Sequence, residues 1–79
     1  MVEIAGHSYE VIVGSDIQRD GMYLEAWNEG GAVVAEVFYS DQDDTMTFTG
    51  YLSDLPLTLV EWMIGQAKIR LIPERGNDG

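Results

Sequence analysis

The groups in this 79-residue chain with the most to offer chemically are its carboxylates. Asp41, Asp43 and Asp44 fall within one short polar run, a spacing that could present several hard oxygens to calcium. An EF-hand loop begun at Asp41 would need Gly at its sixth position and Glu at its twelfth. Met46 and Leu52 stand there instead, so the run is expected to be a solvated turn and no metal is expected. Glu25 and Glu36 could form a general acid and base couple if they faced one another. An open sheet face gives such a pair no enclosure, and the pair is expected to bind a partner rather than catalyse. The only His, His7, adjoins Ser8 beside Gly6. Nucleophilic catalysis needs a pocket with converging groups, so no catalytic residue is assigned. There is no Cys, a single His cannot build a zinc centre, and no Gly-rich phosphate loop with a Lys is present; no cofactor is expected.

Charge says more about partners. The formal net charge is -10, unevenly spread: up to Ala67 twelve acids face one base, Arg19, whereas from Lys68 onward three bases face two acids. Such a field repels nucleic-acid phosphates and raises the encounter rate with basic protein surfaces. Direct nucleic-acid binding and attachment to anionic lipid are both disfavoured. The segment MVEIAGHSYE has no basic region followed by an apolar run, so a cytoplasmic protein is expected.

The elements that must position these residues follow from local pattern. Val2–Ala5 and Tyr9–Val13 flank Gly6 and predict a hairpin, and Gly14–Gly21 (GSDIQRDG) reads as a loop. Met22–Trp27 and Val33–Tyr39 alternate around Asn28-Glu29-Gly30-Gly31, a second hairpin. The polar turn through Asp44 leads to a strand over Thr45–Leu52. Alternation places Met22, Leu24, Ala26, Val33, Ala35, Val37, Tyr39, Met46, Phe48 and Gly50 on a core face. Tyr23, Glu25, Trp27, Val34, Glu36, Phe38 and Tyr51 fall on the other. Two registers are open for the second hairpin. In one, Glu25 lies opposite Glu36. In the other, Glu36 lies opposite Tyr23 and the acids are diagonal, which avoids like charges and is mildly favoured.

Beyond Pro56 the period becomes helical, with Ser53 and Asp54 as capping candidates and a helix expected over Pro56–Leu71. Leu59, Val60, Met63, Ile64, Ala67 and Leu71 share one stripe, and Pro73 ends it. The fold class is therefore α+β: an antiparallel sheet of four to five strands in a meander, packed on one C-terminal α-helix. Residues 1–72 form a single domain, and residues 73–79 are expected to be a flexible tail.

Two surfaces are candidates for binding. Tyr23, Trp27 and Phe38 lie among Glu25 and Glu36, and aromatics beside carboxylates suit Arg or Lys from a partner. With the turn acids Asp41, Asp43 and Asp44 they would meet a basic surface. Leu55, Trp62 and Ile69 recur every seven residues on one helix flank and could form a homodimer seam.

In size, charge and sheet-plus-helix make-up the chain resembles the small anti-CRISPR proteins that phages use against CRISPR effector complexes. The resemblance rests on those global features and carries no residue-level assignment. It implies binding to a basic effector subunit in competition with target DNA. The expected function is a non-enzymatic acidic binding protein that inhibits a partner by occupying a basic, nucleic-acid-binding surface. The alternative is a small homodimeric structural or regulatory module.

Overall fold

A computed structural model describes residues 1–72. Five strands, β1 (Val2–Ile4), β2 (His7–Asp16), β3 (Gly21–Trp27), β4 (Val33–Ser40) and β5 (Thr45–Gly50), precede one helix, α1 (Leu57–Arg70). Each strand pairs antiparallel with the next, so the sheet order is the chain order and the meander spans all five strands. The expected tail lies outside the described residues.

The first turn is two residues long. Ile4 pairs with His7, and Ala5 and Gly6 between them take φ angles of 54° and 80°. Positive φ at both central positions matches the right-handed strand twist, and Gly6 adopts it without steric cost.

The expected loop over Gly14–Gly21 is corrected. β2 continues through Gly14 and Ser15 to Asp16, and Gly21 already belongs to β3, leaving a short turn between them. Glycine weakens a strand because it packs nothing, but here aromatic rings occupy the vacated space. Gly14 pairs with Tyr23, and a Cβ on Gly14 would come within 2.6 Å of the Tyr23 hydroxyl. A Cβ on Gly21 would come within 2.6 Å of the Phe38 ring and closer still to the Tyr39 carbonyl oxygen.

The core lies between the sheet and α1. Leu59, Met63, Ala67 and Leu71, four residues apart, are buried against Leu24, Ala26, Ala35, Val37 and Tyr39. The small side chains of Ala26, Ala35 and Ala67 let helix and sheet approach closely. Ser53 and Asp54 do not cap the helix: Pro56 is the N-cap residue, with no side-chain hydrogen bond. Its carbonyl accepts the Leu59 N–H at 3.0 Å, and its ring costs nothing where no helical N–H is needed. At the other end Lys68 and Arg70 sit in the last turn, where cations complement the helix dipole.

Four residues depart from the expected faces, among them Val33, which pairs with Trp27 and so lies on the outer face rather than the core face. A bulge between β3 and β4 pairs Ala26 with Ala35 but Trp27 with Val33, leaving Val34 unpaired. The extra residue re-aims its side chain, so Val34 is 1% exposed in the core rather than on the outer face. Phe48 faces the helix side but is 38% exposed, because α1 lies over β3 and β4 and leaves β5 partly uncovered. Tyr51 lies past the end of β5.

Candidate partner-binding surface

The face of the sheet away from α1 is, among the described residues, covered by no other element. Its chemistry is organised by a residue for which the sequence pattern gave no role, Arg19. The turn between β2 and β3 is shaped by Asp16, whose Oδ1 accepts the backbone N–H groups of Gln18 and Arg19 at 3.1 and 3.2 Å. That turn sends the Arg19 side chain back over the outer face. Its Nε donates to Asp16 Oδ2 at 2.6 Å, and its Nη2 and Nη1 donate to the two oxygens of Glu36 at 2.7 and 3.3 Å. The guanidinium carbon lies 4.0 Å from the centre of the Phe38 ring. One planar cation thus bridges two carboxylates and stacks on an aromatic face, a combination Lys could not reproduce.

This bridge explains the register. Glu25 pairs directly with Glu36, not diagonally as mildly favoured above. Like charges opposite one another repel. Here the repulsion is offset from two sides: Arg19 binds Glu36, and the Trp27 indole N–H donates to Glu25 Oε1 at 3.0 Å. Glu36 is only 5% exposed, although among the described residues no second layer covers it. Arg19 and the flanking side chains enclose it. The hydrogen bonds to Glu36 and then to Asp16 hold the Arg19 guanidinium well above its ordinary pKa. Asp16 is held below the usual carboxylate range, mainly by the Arg19 side chain.

Of the residues assigned to this surface, Tyr23, Glu25, Trp27, Glu36 and Phe38 are brought together on one face. Tyr23, Glu25, Trp27 and Phe38 are half-buried. The acidic turn lies at one end of the same sheet. Asp41 donates its N–H to the Asp20 carbonyl at 2.9 Å, which joins the β4–β5 turn to the β2–β3 turn. Asp16, Asp20, Asp41, Asp43 and Asp44 therefore share one end of the sheet. They are not equivalent. Asp44, with φ of 62°, accepts the hydroxyl proton of the buried Tyr39 and anchors the turn. Asp43 accepts from the Thr45 hydroxyl at 2.8 Å, and the Thr45 and Ser40 hydroxyls lower its pKa. Asp20 and Asp41 are exposed at the tip.

No family model, curated protein or solved structure matches this chain.

The helix flank divides. Leu55 and Trp62 pack against the core, while Ile69 is 75% exposed. At the opposite end of the sheet from the acidic turns, a cleft of about 360 Å³ is lined by His7, Tyr9, Glu29, Val34, Asp54 and Pro56 among others. His7 and Ser8 are successive residues of β2, so their side chains project to opposite faces. Among the described residues no group of three or more His, Asp or Glu is placed to hold a metal ion. Among them, too, no helix is long and apolar enough to cross a membrane.

Arg19 had a signal in the sequence. It is the sole base among the first 67 residues, three positions after an Asp that can shape a turn.

Proposed function

We propose that this chain is a non-enzymatic acidic binding protein that inhibits a partner by covering its basic, nucleic-acid-binding surface. The observation that carries the reading is the internal neutralisation of Arg19. The only Lys or Arg among residues 1–67 is tied to Asp16 and Glu36, so its charge is largely offset within the chain. Around it stand exposed carboxylates, with Asp20, Asp41 and Asp43 at the tip of the sheet. Half-buried Tyr23, Trp27 and Phe38 beside them add the aromatic area on which Arg and Lys side chains stack. A cytoplasmic setting belongs to the same reading. So does the resemblance to anti-CRISPR proteins, which makes a purified CRISPR effector complex the first partner to try.

The test uses Asp41→Lys together with Asp43→Lys and leaves Asp44 in place to hold Tyr39. The unaltered chain should block binding of target duplex to the effector. Its affinity should fall roughly tenfold or more between 50 and 200 mM salt, as screening weakens a charge-driven contact. The reversed variant should lose inhibition. Full inhibition by that variant, or binding indifferent to salt, overturns the reading.

A further inference from the structure

β5 is the one strand that carries no charged residue, and it lies at the edge of the sheet. β1 to β4 each contain at least one carboxylate. Natural edge strands are blunted by charges, proline, bulges or extreme shortness. β5 has none of these: Thr45–Gly50 pairs residue for residue with β4, without a bulge. In a chain of net charge -10, an uncharged strip is where a second copy can approach without setting carboxylates against carboxylates.

Among the described residues, the backbone shows which groups on this edge have no strand partner. Tyr51 donates its N–H to the Val34 carbonyl at 2.9 Å, continuing the register that pairs Gly50 with Ala35. Ladder bonding alternates along an antiparallel strand. Thr49, Thr47 and Thr45 therefore direct their backbone groups to β4, and Gly50, Phe48 and Met46 direct theirs outward. The open edge presents N–H and C=O groups at those three positions, which only another strand can satisfy as a row.

We infer that β5 pairs antiparallel with β5 of a second copy about a two-fold axis at Phe48, joining two five-stranded sheets into one. This inference does not rest on the proposed function. The register follows from the free groups. With the axis at Phe48, Phe48 faces Phe48 and Met46 faces Gly50 on both sides, so all three outward positions are used in each copy. A slip of one residue sets outward groups against inward ones, and a slip of two loses one of the three pairs.

The side chains agree with that register. On the outer face Thr47 meets Thr49, a cross-strand pair that can hydrogen-bond. On the helix side the long Met46 lies opposite Gly50, which has no side chain to crowd it. Phe48 meets its own copy above a groove of about 210 Å³, lined by Val37, Met46, Ile64 and Lys68, that α1 leaves open. The contact is isologous and closes at two copies. Its occupant is a second chain of the same sequence, because the strand is complementary to itself.

The test is sedimentation equilibrium at increasing salt, with far-ultraviolet circular dichroism to verify folding. A dimer is expected, and its dissociation constant should fall severalfold from low to high salt as repulsion between two negative chains is screened. That response is opposite in sign to the one predicted for a basic partner, so either inference can fail without the other. Phe48→Lys places two cations at the axis and should give a monomer. Met46→Pro should do the same by deleting an outward N–H while sparing the β4 ladder. Because the chain has no Cys, Phe48→Cys should cross-link on oxidation, the paired Cα atoms lying about 5.5 Å apart. Thr45→Cys, whose copies would lie about 20 Å apart along the strands, should not cross-link. A monomer at every salt concentration overturns the inference, as does a dimer that survives Phe48→Lys but is lost in Trp62→Ala.

Discussion

On the helix-covered face of the sheet, Leu24, Ala35, Val37, Leu59 and Met63 exclude water by contact between apolar surfaces. On the opposite face a single guanidinium lies on a ring and between two carboxylates, and it encloses Glu36 almost as completely as the helix encloses its neighbours. The first arrangement is non-directional and proportional to area. The second depends on geometry, ionisation and salt. On the open side, a cation from the sheet's own turn thus encloses a carboxylate without a second layer among the described residues.

The largest effect is expected on the covered face. Leu59 is fully buried. Leu59→Ala should cost about 2–5 kcal/mol, depending on how far α1 settles into the cavity, measured as a shift of the urea midpoint. Partner binding by the molecules that remain folded should be unaffected.

Arg19→Met should cost less, about 1–3 kcal/mol, because it leaves an enclosed carboxylate without its donors and removes the guanidinium from over Phe38 while keeping an unbranched apolar side chain of similar length. Arg19→Met combined with Glu36→Gln should recover part of that loss, since the stranded charge is gone. A loss from Arg19→Met equal to that of Leu59→Ala would break the contrast between the faces. The pH response sharpens it. Asp16 has a depressed folded-state pKa, so its stabilising contribution is complete above the unfolded carboxylate value of about 3.9 and is lost as pH falls through the lower folded value. The intact chain should therefore lose stability below about pH 4 more steeply than Arg19→Met, and the two unfolding curves should converge in acid.

The covered face was readable because alternation and the helical stripe are both local signals. Leu24, Ala35, Leu59 and Met63 needed only a period of two or a little under four. Val34 was not readable, since a bulge changes parity through a mismatch between two strands that neither reveals alone. The register of Glu25 and Glu36 was misjudged for a different reason. The rule against opposed like charges holds in isolation, but the neutralising cation comes from a turn seventeen residues before Glu36, and only tertiary structure brings it there. Glycine misleads in the same way: Gly14 and Gly21 read as loop residues, yet the Tyr23 ring fills the space beside Gly14, and the Tyr39 carbonyl and the Phe38 ring fill that beside Gly21.

The smallest expected effect separates stability from binding on the open face. Trp27→Phe keeps most of a half-buried ring and removes only the indole N–H that donates to Glu25 Oε1 at 3.0 Å. Because Glu25 is partly exposed, water can replace that donor, and the loss should be near 0.5–1 kcal/mol by denaturant midpoint. The freed carboxylate remains opposite Glu36, whose charge Arg19 already engages, so the register should hold and the far-ultraviolet spectrum should not change. The consequence for a partner should be larger than the consequence for folding. Indole is the best cation–π platform among the aromatics, and Phe is a weaker surface for an incoming Arg or Lys. A variant that folds almost as well but dissociates severalfold faster from a basic partner would mark Trp27 as part of the contact. Equal dissociation rates would confine its role to orienting Glu25 within the sheet.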